Sequence, residues 1–133
     1  MIERVNPEEL APASGYSHAV RASETVRVYL AGQTGLDEKG EIVGATVVEQ
    51  FERALANLLA ALRAAGGSPE DLVSVTIYAV DLADYRAQAA EAGAVWRRLV
   101  GRTYPAMAAI GVARLWDDAA LVEVQGTAEI RPA

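Results

Sequence analysis

The sequence predicts a single α+β domain: a mostly antiparallel sheet with two helices on one of its faces. Three observations lead there. Two long segments carry apolar residues at helical spacing. Four others carry them at every second position, the period of a strand with one buried face. The order along the chain is strands, helix, strand, helix, two strands, which gathers the helices on one side of a sheet.

Residues 25–32 alternate Val26, Val28 and Leu30 with Arg27, Tyr29 and Ala31, and read as a strand. Asp37, Glu38, Lys39 and Gly40 read as a turn, and a short strand is expected around Ile42 and Val43. Residues 45–65 form a helix, because Val47, Phe51, Leu55, Leu58, Leu59 and Leu62 recur at three- and four-residue steps. Gly66-Gly67 stops it, and Ser68-Pro69 supplies a cap and first-turn proline for a short turn. In 73–80, Val73, Val75, Ile77 and Ala79 alternate with Ser74, Thr76, Tyr78 and Val80. Asp81 caps a second helix, 83–100, striped by Tyr85, Ala92, Trp96 and Leu99. Strands 106–113 and 121–130 complete the set. No linker, low-complexity tract or repeat divides the chain, so 1–133 is read as one domain.

The second face of this sheet is the informative one. In the last strand Val122, Val124, Ala128 and Ile130 point one way, toward the helices. Leu121, Glu123, Gln125, Thr127 and Glu129 point the other way. Segment 106–113 carries no charge, and neither does the Ser74, Thr76, Tyr78, Val80 side. A sheet face in water normally alternates apolar with charged residues. This one is expected to be covered by another subunit.

Composition removes several classes of function. Half the residues are hydrophobic (52%), but no run approaches the ~18 apolar residues of a membrane helix. The N-terminal MIERVNPEEL is polar and acidic, unlike a signal peptide, and a cytoplasmic location is expected. Cysteine is absent, which removes disulfides, thiolate nucleophiles and zinc–thiolate sites. The single histidine, His18, excludes a multi-histidine metal site. It follows Ser17 on an extended segment, where neighbours point to opposite faces, so the two are not a nucleophile–base pair. Twelve basic against eighteen acidic residues, a net charge of −6, argue against nucleic acid as a partner. The only basic pair, Arg97-Arg98, falls in the second helix and reads as a solvated helix face.

Four local features remain. Gly15-Tyr16-Ser17-His18-Ala19-Val20 is a glycine–aromatic entry into a strand. Ala31-Gly32-Gln33-Thr34-Gly35 ends a strand where glycine lets a ligand approach the backbone. Tyr104-Pro105-Ala106-Met107 opens a strand, and Glu123 with Gln125 puts an acid and an amide on one face of another. In their order and spacing these resemble the Rid family, the YjgF-type reactive-intermediate deaminases. The resemblance runs from Gly15 to Ile130 through GYSHAV, AGQTGLDEKGEIVG, FERALANLLAALRAAGGSPEDLVSVTIYAVDLADY, YPAMAAIGVARL and VEVQGTA.

The resemblance implies a chorismate-mutase-like fold, a homotrimer whose sheets form a central barrel, and ligand clefts between subunits. It implies hydrolysis of imines and enamines to 2-oxo acids and ammonia, with no metal or cofactor. In such deaminases the third residue of a Pro-Ala-Arg motif grips the substrate carboxylate. Here Pro105-Ala106-Met107 places a methionine there, and Ala31 stands where a serine usually precedes Gly32. Tyr16, Gly32 and Glu123 match the pattern, Glu123 with one extra residue allowed in loop 116–120. The resemblance thus makes Glu123 the catalytic candidate, with Tyr16, Ala31, Gly32, Tyr85 and Met107 binding substrate. Losing the guanidinium should weaken carboxylate binding by roughly 1.5–3 kcal/mol. It also removes the cation that would keep a nearby Glu123 ionised, leaving it able to act as a general acid. A small-molecule ligand more apolar than 2-iminopropanoate, or uncharged, is expected, either as substrate or as the ligand of a non-catalytic binding trimer that could equally hold a partner protein.

Overall fold

The computed structural model describes residues 1–132. A hairpin of β1 (Ile2–Val5) and β2 (Ala19–Ala22) precedes a sheet of β3 (Val26–Gln33), β4 (Leu72–Ala79), β5 (Ala106–Gly111) and β6 (Val122–Ile130). The spatial order in the sheet is β3-β6-β4-β5, with β6 antiparallel to both neighbours and β5 parallel to β4. The sheet is therefore mostly antiparallel, as the sequence predicts, with one parallel pair at its edge. That pair needs a crossover, which the intervening helices supply.

Helix α1 (Val47–Ala64) starts on a capping box. The Thr46 hydroxyl accepts the Glu49 N–H at 3.2 Å, and the Glu49 carboxylate accepts the Thr46 N–H at 3.1 Å. Its predicted stripe is buried throughout and packs on Val75, Ile77, Val122, Val124 and Ala128 of the sheet. Each fully buried leucine contributes about 1.5–3 kcal/mol, so this contact, more than helix propensity, holds α1 in place.

The second helical segment departs from expectation. It is two helices, α2 (Leu82–Ala87) and α3 (Ala89–Leu99), separated at Gln88, whose ψ of 15° leaves the helical basin. Three helices, not two, pack beside the sheet among the described residues. Asp81 caps α2 as predicted, accepting the Asp84 N–H at 3.0 Å. Ile42 and Val43 form no strand; only an isolated bridge joins Leu36 to Ile42. In β4 a register shift between Leu72 and Ser74 displaces Val73, so Leu72, not Val73, enters the core. The Asp37–Gly40 turn holds, with the Asp37 carboxylate accepting the N–H groups of Lys39 (2.9 Å) and Glu41 (3.0 Å).

Much of the opposite face of the sheet is left open among the described residues. Tyr29 is 77% exposed there and Ile110 44%. Across it, Tyr78 donates to Gln125 Oε1 at 3.1 Å, and Arg27 pairs with Glu129 at 2.6 Å. Among the described residues no helix is long and apolar enough to cross a membrane.

Candidate functional site

Two groups of side chains stand out, on opposite faces of the sheet. The first surrounds Glu123 on the open face. β3 carries an extra residue between Leu30 and Gln33 relative to β6, so Ala31 and Gly32 bulge opposite the Glu123–Gln125 stretch. Gly32 then lies directly over the Glu123 carboxylate. A Cβ at Gly32 would sit 2.2 Å from Glu123 Oε2 and 2.9 Å from its Cδ. Glycine is what allows this approach. Glu123 is half-buried, and no basic side chain pairs with it among the described residues. On β4 its register partner is Tyr78.

The other acid on this face, Glu129, is 4% exposed and fully engaged. Its carboxylate accepts the Thr25 hydroxyl at 2.7 Å and Arg27 Nε at 2.6 Å. The Thr25 hydrogen bond, then the Arg27 pair, hold its carboxyl below the ordinary carboxylate value, so it stays ionised and structural.

The second group lines a cleft of about 300 Å³ on the helix side of edge strand β5. Met107 lies on this side because it is in register with buried Val75 of β4. Tyr85 of α2 and Tyr16 of the N-terminal segment face the same cleft. Tyr85 packs edge-on to Phe51, with centroids 6.0 Å apart, and burial pushes its phenol up to about 12. It is therefore a neutral hydrogen-bonding group at physiological pH. Trp96 stacks on Tyr104 at 6.4 Å, and its indole N–H is buried with no hydrogen-bond partner.

The wall carrying Tyr16 is pinned to the start of β5. Ser17 donates its N–H to the Pro105 carbonyl at 2.9 Å and its hydroxyl to the Tyr104 carbonyl at 2.6 Å. Arg4 of β1 holds the same corner, its Nε donating to the Tyr104 carbonyl at 3.3 Å and its Nη2 to the Glu70 carbonyl at 2.9 Å. Ser17 and His18 are engaged separately, since His18 Nε2 meets the Ala11 carbonyl at 2.7 Å. Among the described residues no cluster of His, Asp and Glu is arranged to hold a metal ion.

The structure thus brings Tyr16, Tyr85 and Met107 together in one cleft, and Gly32, Ala31 and Glu123 together on the opposite face. It does not unite the two groups within one chain. Sequence reasoning missed Trp96 and Arg97 as cleft residues. Trp96 was visible as part of a helical stripe, but nothing in the sequence separates Arg97 from Arg98. In the structure both are exposed, as a solvated helix face predicts, but Arg98 pairs with Glu52 on α1 whereas Arg97 lies at the rim of the cleft.

Comparisons with known proteins agree with this fold. The family model described as Endoribonuclease L-PSP matches residues 6–130. A RutC family protein of Pyrococcus abyssi is 36% identical over 118 residues, 88% of this chain and 87% of that protein. A protein of Capra hircus named 2-iminobutanoate/2-iminopropanoate deaminase is 33% identical over 118 residues, covering 86% of this chain and 82% of its own length. Among solved structures, YyfB of Yersinia pestis, described as a Rid family protein of unknown function, superposes with a TM-score of 0.85. It is 34% identical, with 97% of this chain and 98% of that one covered.

Proposed function

Because the chain belongs to the Rid (YjgF-type) family, the family of the Endoribonuclease L-PSP model, we propose that it acts on a small imine or enamine, or a related labile metabolite, in clefts completed between the subunits of a homotrimer. The reaction is hydrolytic deamination or tautomerisation, at a cytoplasmic site, without metal or cofactor. The observation that carries this reading is the half-buried, cation-free Glu123 fitted under Gly32 on a sheet face that the chain leaves uncovered. Once a second subunit covers that face, an unpaired carboxylate there is costly unless a partner or substrate engages it. Covering that face with a second copy would set one subunit's Glu123 and Gly32 near its neighbour's Tyr16, Tyr85 and Met107.

In this reading Glu123 takes a proton from water as the water oxygen bonds to the imine carbon. The C=N π pair moves to nitrogen, which takes that proton back from Glu123. The carbinolamine hydroxyl then gives its proton to Glu123 as the carbonyl forms, and Glu123 passes it to the amine nitrogen as the C–N bond breaks, releasing ammonia. The Gly32 backbone polarises the reacting group, and Tyr16, Tyr85 and Met107 form the binding wall. Met107 in place of a guanidinium makes 2-iminopropanoate a poor substrate. Endoribonuclease activity is disfavoured by the net charge of −6. Met107 also favours a second reading, a trimer that binds a small molecule or protein without catalysis.

The test is the rate of loss of a panel of imines with purified protein. Wild type is expected to accelerate at least one imine, and Glu123→Gln to abolish that. Equal rates for the two proteins on every imine would remove the catalytic reading.

A further inference from the structure

The cleft carries an electrostatic signature that the residue at position 107 conceals. Arg97 is the only charged side chain lining it, and no Asp or Glu does. Arg27, Arg53, Arg98, Arg114 and Arg131 each have a carboxylate within ion-pair distance; Arg97, exposed at the rim of the cleft, is one of the arginines that have none among the described residues, and the one that borders the cleft. An unpaired cation facing an apolar hollow, in a chain of net charge −6, selects for an anion.

The helix is shaped to hold Arg97 there. One turn earlier α3 has Gly93, which also lines the cleft, and Arg97 Nη1 lies 3.3 Å from where a Cβ on Gly93 would be. Glycine in a helix interior is unfavourable. Here it leaves room for the guanidinium to lie back along the helix toward the cleft. The other polar groups at the wall are the hydroxyls of Ser14, Tyr16, Tyr104 and Tyr85, the last held neutral, and the Trp96 indole N–H, which has no acceptor; each of them can donate a hydrogen bond. The rest of the wall, including Phe51, Ile77 and Met107, is apolar.

We infer that the cleft takes a monocarboxylate with an aromatic or bulky apolar body, and that Arg97, rather than the residue at position 107, supplies its counter-ion. This rests on the proposed function only for the location of the site. A planar carboxylate suits one guanidinium, which can bind it through two parallel hydrogen bonds; a phosphate dianion calls for more positive charge than one arginine. The volume of about 300 Å³ lies at the lower end for organic ligands and far exceeds what the methyl group of 2-iminopropanoate fills. Met107 then serves the apolar end, where a thioether packs well against aromatic rings.

The protein has two tryptophans. Trp116 is 99% exposed and outside the cleft, so Trp116→Phe leaves Trp96 as the sole indole reporter. In that background, 3-phenylpropanoate and its neutral amide are titrated by Trp96 emission and by calorimetry. The acid is expected to bind roughly tenfold tighter than the amide. Arg97→Gln should erase that preference and leave the amide's affinity alone, while Arg98→Gln should change neither. Equal affinity for acid and amide, no binding of either at millimolar concentration, or an unchanged preference in Arg97→Gln overturns the inference, as does an equal loss in Arg98→Gln. Binding is read without turnover, so the two ideas fail separately. Imine loss that ignores Glu123 sinks the catalytic reading but not this one. Absent acid–amide discrimination alongside Glu123-dependent turnover sinks this one alone.

Discussion

Gly32→Ala separates the placement of Glu123 from its chemistry. The added Cβ would lie 2.2 Å from Glu123 Oε2, where ordinary contacts begin near 3.4 Å. The shortfall is about 1.2 Å, and backbone conformation does not forbid the change, because Gly32 is not among the positive-φ glycines. The clash falls on the end of a half-exposed side chain, so the carboxylate is expected to swing outward by about 1 Å at small cost to folding. Stability should fall by no more than about 1 kcal/mol, a few degrees in Tm. A misplacement of about 1 Å in a reacting group can lower a rate on the order of 100-fold. The assay pairs thermal unfolding with kcat/KM on the imine that wild type turns over best. The expected result is near-native Tm with activity close to that of Glu123→Gln. Wild-type kcat/KM in Gly32→Ala would refute the reasoning, because it would show that the carboxylate does no work where the bulge holds it.

Three further outcomes are expected. Met107→Arg should gain hydrolysis of 2-iminopropanoate, measured as ammonia release, because a guanidinium at position 107 would add a second grip on the carboxylate of a small substrate. The Glu129 carboxyl lies below its ordinary value of 4.5, so its contribution is present above that pH and is lost as pH falls through the depressed value. Urea midpoints at neutral pH and at pH values below 4.5 should therefore differ less for Glu129→Gln than for wild type. Thr46→Ala removes the hydroxyl that accepts the Glu49 N–H and should cost about 0.5–2 kcal/mol in urea unfolding with no loss of cleft binding.

What could be read from the sequence was what repeats locally. The Val47–Leu62 stripe and the alternation around Val75 and Val124 name their own buried faces, because one element's period reports one neighbour. The break at Gln88 lies in a run of Ala and Gln with no proline or glycine, so its local signal is absent. Hairpin β1–β2 pairs Ile2 with Ala22 across a long loop, and its first strand is half charged, which hides it from periodicity. At the site, Glu123, Gly32, Met107 and Tyr16 were recognisable as motif positions. Their division between two faces was not, since it depends on the parallel registry of β5 with β4. Arg97 and Arg98 are the same residue type in adjacent positions, and only the packing of α3 against α1 gives them different surroundings.

The strand order has a consequence for how the molecule is made. β6, the last strand in the chain, lies between β3 and β4, and Val26 must find Ile130. Until residues 122–130 have left the ribosome, the leucine stripe of α1 lacks Val122, Val124 and Ala128 beneath it. The Glu123 half of the candidate site arrives with the same strand that completes the core. One strand thus makes the fold stable and brings in the candidate acid together. A chain stopped at residue 120 should bind a hydrophobic dye such as ANS and be degraded rapidly, whereas the full chain should do neither.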